Sequence, residues 1–293
     1  MNKKGARVYS AISADIQCEV KDHDAPFGYS DDMHNHDCHE VIILLAGEIH
    51  LYTEYSGIKM KRGDVCFIPN YAFHSAYLYT PEVYDRIVIN VKDEMLNTPS
   101  SKMDLKACFA GTDKKIIPHI HLNDDELEDI KEYALKLQEN LSHSNPGADI
   151  LADAYLKLIM VKLATGYSDD PVIHCTNILP EVVRKTFKYI DEHLTEELTL
   201  ATLEKEIHHN GTYISRSIKK ISGLSLQQYI IAKRIALSCK YIREGISPGD
   251  ACFMSGFNNY SNFSRTFTKK VGISPKQLQM NYRKGNALSF GIK

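Results

Sequence analysis

"NFSRTFTKKVGIS", Asn262 to Ser274, stands near the end of this 293-residue chain, and a close copy precedes it by 49 positions as "YISRSIKKISGLS", Tyr213 to Ser225. The offset places Ser215 on Ser264, Arg216 on Arg265, Lys220 on Lys269 and Gly223 on Gly272. Ser225 then falls on Ser274 and Gln228 on Gln277. Apolar residues recur at helical spacing in each copy, as Ile214, Ile218 and Ile221 and as Phe263 and Phe267, so one face of each helix is predicted to bind its own bundle. The opposite faces carry Thr212, Ser215, Arg216 and Lys219 in one copy, and Tyr260, Ser261, Ser264, Arg265 and Thr268 in the other. Base edges in the major groove call for such side chains: Arg bonds guanine at two points, while Ser, Thr and Asn bond bases or phosphates. A single helix of this kind is equally an amphipathic helix with a solvated face. Two copies at a fixed offset favour a pair of reading heads.

Each copy follows a short helical stretch and a turn. "LATLEKEIHH" leads into Asn210-Gly211, and "GDACFMSGF" into Asn258-Asn259. Between the copies, Ser225 is a plausible N-cap and Gly245 a plausible terminator for one helix of about 19 residues, or ~28 Å at 1.5 Å per residue. Successive major-groove faces on one side of a duplex lie ~34 Å apart, within reach of such a spacer and its caps. Ser247-Pro248 and Ser274-Pro275 repeat a start signal in which Ser caps and Pro occupies the first helical position. Charge divides along the same line. Residues 180–293 hold 18 Lys+Arg against 9 Asp+Glu, and the rest of the chain holds 17 against 28, although the whole is only −2. A basic half joined to an acidic half suggests that one part meets a polyanion.

The first half reads differently. "EVIILLAGEIHLYTE", "GDVCFIPN" and "DRIVINV" are short β-branched, alternating runs with Gly, Pro, Asn and Asp at the joints, which predict a β-sandwich or small barrel. After Asn123, Leu127, Ile130, Ala134, Leu137 and Leu141 form a helical stripe, and a broadly apolar helix follows near 148–166. These helices, at 124–143 and 148–166, are the candidate dimer contact. The start lacks the long apolar core of a signal peptide, and no apolar run approaches the ~20 residues of a membrane span. The seven cysteines include no C-x-x-C pair and read as free thiols of a reducing cytoplasm, with Cys38, Cys66 and Cys252 as core residues.

From Val182 to Arg283 the chain resembles the AraC/XylS family of bacterial transcription regulators. Gly256-Phe257, Phe263-Ser264-Arg265, Phe267, Lys269, Gly272 and Ser274-Pro275 are in register with its signature. Leu200, Leu203, Ser215-Arg216, Lys219-Lys220, Gly223, Tyr229 and Arg234 match in the first unit. Glu204, Ala251 and Cys252 depart from the pattern and are expected to loosen the supporting helices. The resemblance implies that Thr212, Ser215, Arg216, Tyr260, Ser261, Ser264 and Arg265 face bases, and that Lys219, Lys220, Asn259 and Lys269 hold phosphates.

A second resemblance lies in "GYSDDMHNHDCHEVIILLAG" and "GDVCFIPNYAFH". Gly28, His34, His36, Glu40 and Gly47, then Gly63, Pro69 and His74, are similar to the two motifs of the cupin barrel, which regulators of this type often carry as a ligand domain. The resemblance implies one divalent ion, iron, zinc, manganese or nickel, held by His34, His36, Glu40 and His74. The alternative is that these four line an effector pocket with Tyr29, Tyr52 and Tyr77. Tyr71 and Leu78 stand where the second motif has Gly and Asn, and His39 and His50 read as surface residues.

The expected architecture is α+β and multidomain. A cupin-like sensor over 1–122 is followed by a helical pair over 123–167 and a linker over 168–180. An all-α DNA-binding domain over 181–293 then holds two helix-turn-helix units, near 199–222 and 248–271, joined by a long helix. The expected function is a cytoplasmic, homodimeric, effector-controlled regulator of double-stranded DNA with no catalytic residues. Family resemblance leans toward an activator that recruits RNA polymerase. The competing reading is a metal-dependent cupin enzyme, an oxygenase or sugar isomerase, fused to a DNA-binding module.

Overall fold

Alternation along the N-terminal strands sorts their side chains onto two faces, and those faces are stacked in layers. The computed structural model describes residues 15–21, 32–78, 83–98, 101–110, 116–143, 145–169, 176–283 and 291–292. An antiparallel sheet runs in the order β1 (Ile16–Lys21), β8 (Asp85–Val91), β3 (His39–Ala46), β6 (Asp64–Ile68), β9 (His119–His121). A second runs β5 (Gly57–Lys61), β4 (Glu48–Thr53), β7 (His74–Leu78). The short β2 (Asn35–His36) pairs with β10 (Gly291–Ile292). The strands thus form facing sheets, one of the two alternatives the strand pattern left open, and not the closed barrel that the cupin resemblance implied.

Val41, Ile43 and Leu45 of β3 and Ile87 and Ile89 of β8 point to one side, where α2 (Asp124–Ser142) and α3 (Ala148–Asp169) cover them. The short α1 (Ala107–Ala110) adds Cys108 and Phe109 to the same core. Ile42 and Leu44, one residue out of phase, meet Ile49, Leu51, Met60 and Leu78 of the smaller sheet and fill the space between the sheets. The far face of the smaller sheet is covered too. Tyr52, with Phe73 and Met33 beside the strand ends, enters the core of the C-terminal helices. N-terminal β-sheet domain and C-terminal helices therefore share apolar packing.

Those helices are α4 (Glu181–Glu192), α5 (Leu200–Ile207), α6 (Gly211–Ser222), α7 (Leu226–Arg243), α8 (Pro248–Met254), α9 (Tyr260–Val271) and α10 (Pro275–Arg283). The 49-residue repeat is largely a repeat of helix ends. Asn210 and Asn259 are the N-caps of α6 and α9, and Gly223 and Gly272 close them with φ of 71° and 86°, in the left-handed region where a Cβ is disfavoured. Ser225 and Gln228 form a capping box at the start of α7, and Ser274 and Gln277 exchange the same hydrogen bonds at α10.

Helix α3 runs three residues past its expected end, and 170–175 lie outside the described residues. The stretch leading into α4 is not a free tether: Ile178 N–H donates to Gly57 O at 2.8 Å, and Asn177 Oδ1 accepts from Gly57 N–H at 2.9 Å. No disulfide joins the six described cysteines, which are all buried, Cys38, Cys66 and Cys252 among them. Among the described residues no helix is long and apolar enough to cross a membrane.

Candidate nucleic-acid interface and metal-ligand cluster

Helix α6 buries Ile214, Ile218 and Ile221, and α9 buries Phe263, Phe267 and Val271. Turned away from these stripes, Thr212, Arg216, Lys219 and Lys220 are exposed on α6, as are Tyr260, Ser261, Arg265 and Lys269 on α9. Ser215 and Ser264 are half-buried at equivalent edges, and the cap Asn259 is exposed. All eleven side chains that the sequence singles out thus lie on or beside the outward faces of two equivalent helices. Helix α7 between them has 18 residues, ~27 Å of rise.

Glu204, which departs from the family pattern, joins α5 to the start of α6. Its Oε1 accepts from the N–H of Gly211, the first residue of α6, and so satisfies a donor that has no partner within the helix. Ala251 and Cys252 are fully buried in the core that α8 builds with α7 and α9. Arg234 donates from α7 to Leu194 O (2.9 Å) and Glu196 O (2.6 Å), fixing the turn after α4. Gly256, at φ 87°, is packed so closely there that a Cβ would lie 3.0 Å from Arg234 Nε and 2.9 Å from Thr195 Cα.

At one end of the facing sheets, donor atoms of His34, His36, Glu40 and His74 lie within 4.8 Å of one another. Glu40 is in phase with Ile42 and Leu44, which turns its carboxylate inward. Each imidazole is anchored through Nδ1 on a backbone carbonyl: His34 on Asp32 O (2.9 Å), His36 on Cys38 O (2.8 Å) and His74 on Ala72 O (3.0 Å). That turns the Nε2 of His36 and of His74 to the centre. Glu40 Oε2 meets His36 Nε2 at 2.6 Å and His74 Nε2 at 3.1 Å.

Burial, then the charge of His74, brings the His34 pKa down to about 3 and keeps its ring neutral. Burial also opposes charge on His36, but the hydrogen bond and charge of Glu40 outweigh it and raise its pKa. Glu40 is likewise pushed up by burial and held well below the usual carboxylate range by His74 and His36. Imidazole nitrogens fixed from behind by carbonyls, converging with an ionised carboxylate, are a donor set that suits a divalent transition metal. The residues fit the ion that the motif implies.

The remaining expected pocket residues are not gathered here. Tyr52 and Tyr77 point out from the opposite face of the smaller sheet toward the helices, and Tyr29 lies outside the described residues. His39 is not a surface residue. It is buried, out of phase with Glu40, against the ring of Phe109 (4.4 Å) and bonded to Asp93 at 3.1 Å. His50 is half-buried, with Nδ1 3.2 Å from Tyr52 Oη.

A family model described as a helix-turn-helix domain matches residues 203–281. The chain carries a helix-turn-helix domain of the AraC type. The bifunctional transcriptional activator/DNA repair enzyme AdaA of Bacillus subtilis is 34% identical over 93 residues, 31% of this chain and 44% of that protein. The HTH-type transcriptional activator RhaS of Salmonella paratyphi A is 21% identical over 257 residues, covering 84% of this chain and 86% of RhaS. Among solved structures, an apo single-residue variant of ToxT from Vibrio cholerae aligns over 91% of this chain and 97% of that one, at 14% identity and a TM-score of 0.42.

The AraC-type domain meets the β-sheet domain through charge as well as apolar packing, which the sequence reading missed. Lys233 of α7 lies 2.8 Å from Asp191 and also bonds Glu54, which accepts from Tyr229 Oη at 2.6 Å. Burial works against the Lys233 ammonium, yet Glu54 and Asp191 outweigh it and keep its pKa above the ordinary lysine value. Near the end of α7, Arg243 stacks on Tyr71 (4.8 Å to the ring centre) and Tyr282 (5.4 Å) and pairs with Asp37 at 3.6 Å. Tyr71 occupies the motif's Gly position at φ 64°, a left-handed backbone strained for a tyrosine. That departure from the motif was the available signal. A cavity of about 830 Å³ lies between the domains, with His36, Asn35, Tyr55, Phe73 and Leu237 among its walls.

Proposed function

We propose that this AraC-type regulator reads double-stranded DNA with α6 and α9 as two helix-turn-helix recognition elements set in successive stretches of major groove. The observation that carries this reading is the pair of equivalent outward faces bearing Ser215-Arg216 and Ser264-Arg265, with matching caps, on one rigid spacer. In this reading Thr212, Ser215, Arg216, Tyr260, Ser261, Ser264 and Arg265 face bases, while Lys219, Lys220, Asn259 and Lys269 hold phosphates. Selection of bound fragments from the cognate genome, followed by binding to the enriched duplexes, tests it. Recovery of no common sequence sinks it.

A small molecule controls the regulator in this reading. The space between the sheets is filled by apolar side chains, so the cavity between the domains is the better place for an effector. A divalent ion would sit beside it on His34, His36, Glu40 and His74, with His36 common to cluster and cavity. When bound, such an ion supplies a positive charge and a coordination point for a ligand donor atom. Homodimerisation would use α3, whose exposed Leu151, Ala154, Leu158 and Val161 follow the spacing of a coiled-coil seam. The relatives AdaA and RhaS are named as activators, which supports recruitment of RNA polymerase here. A cupin enzyme is the weaker reading, resting on the four-residue cluster alone.

A further inference from the structure

The cluster and the first repeat helix touch the same two segments of chain, Met33–His34 and His74–Ser75. Met33 precedes His34, and its N–H donates to Ser222 O at 2.7 Å. Ser75 follows His74, and its Oγ donates to Ile221 O at 3.0 Å. Both acceptors are carbonyls of the last turn of α6, where a helix has no partners of its own. The two segments are tied together at the ligands themselves by an isolated bridge: His34 N–H donates to His74 O at 3.0 Å, and His74 N–H to His34 O at 2.9 Å. Met33 is fully buried in the core of the helices. Asp32, whose carbonyl anchors His34, packs against Gly223 so closely that a Cβ there would lie 2.3 Å from Asp32 Oδ1.

We propose that these contacts make the His34/His36/Glu40/His74 cluster a switch for α6, so that a divalent transition metal bound there strengthens the hold on the helix's last turn and raises affinity for DNA. The inference rests on the readings of the cluster as a metal site and of α6 as a recognition helix. His74 and Ser75 are neighbours on β7 and leave it on opposite faces, and Met33 is bonded directly to His34, so a shift of His34 or His74 toward an ion moves Met33 N–H and Ser75 Oγ with it. The direction follows from exposure: with α6 docked in this way, Thr212, Arg216 and Lys219 stay open to solvent, so firmer docking preserves the DNA face. The coupling is reciprocal, so DNA should tighten the metal by the same factor.

The test uses the full chain stripped of metal, Zn2+ or Mn2+ as the probe, and a duplex enriched from a random library by the zinc-loaded protein. Metal uptake is measured by elemental analysis and DNA affinity by anisotropy, for wild type, His74→Ala and Ser75→Ala. Expected is stoichiometric uptake with a gain in DNA affinity of about fivefold or more in wild type. His74→Ala should lose both. Ser75→Ala, which keeps all four ligands, should take up metal normally and lose most of the gain. Uptake without any change in DNA affinity, or an undiminished gain in Ser75→Ala, overturns the coupling and leaves the metal site standing. Failure of wild type to take up either ion overturns the metal site and the coupling with it.

Discussion

Arg265 and Lys269 sit one helical turn apart on α9, both exposed, yet their loss should be felt differently. A guanidinium facing a guanine edge carries sequence information, whereas an ammonium at a phosphate carries only charge. Arg265→Ala is expected to remove ~1–3 kcal/mol from binding to the selected site and to relax preference at one base pair. Lys269→Ala should weaken all duplexes about equally and lower the salt slope by about one. Titrations of specific and scrambled duplexes at several salt concentrations separate the two, and equal losses on both duplexes for Arg265→Ala would contradict its role.

The helix ends of the repeat allow a comparison at the level of elements. Gly223 and Gly272 hold the same left-handed C-cap, but a Cβ at Gly272 meets nothing within 4 Å, while one at Gly223 strikes Asp32. Gly272→Ala should therefore cost only the backbone strain, ~1–2 kcal/mol, and Gly223→Ala clearly more, by urea melts of the two variants. Equal costs would mean that the contact with Asp32 carries no energy. On α3, Leu158→Asp places a charge in the exposed apolar seam, and light scattering should report a monomer if that seam joins two chains. The caps Ser225, Ser247 and Ser274 were legible in the sequence because caps are local and act within a few residues of themselves, whereas Asn210 was read only as part of a turn and Gly272 only through the family signature. Glu204 and Tyr71 were harder. Glu204 makes its bond seven residues away across a turn, and only its departure from the family pattern marked it. The cupin resemblance pointed to Glu40, but the burial of His39 went unseen, since nothing local signals that α1 covers that face. The strand pattern left sandwich and barrel open, because short alternating strands fit one barrel or two facing sheets equally well, and the cupin resemblance tipped the expectation to a barrel.

Across the whole molecule, the decisive contacts join residues more than a hundred positions apart, and no periodicity could announce them. Glu54 and Lys233 are ordinary as letters; folding places them together with Asp191 and Tyr229 at the seam of the two domains. Lys233→Met would leave the buried Glu54 and the half-buried Asp191 without their cation and is expected to cost ~3–5 kcal/mol, measured by denaturant titration. A loss below ~1 kcal/mol would show that the seam is open in solution. Met33, Tyr52 and Phe73 lie in the same apolar core as Phe187, Tyr229 and Ile218. Heat should consequently melt sheets and helices in one endotherm, and expressing the helices alone would lay bare a sticky patch where those three side chains belong.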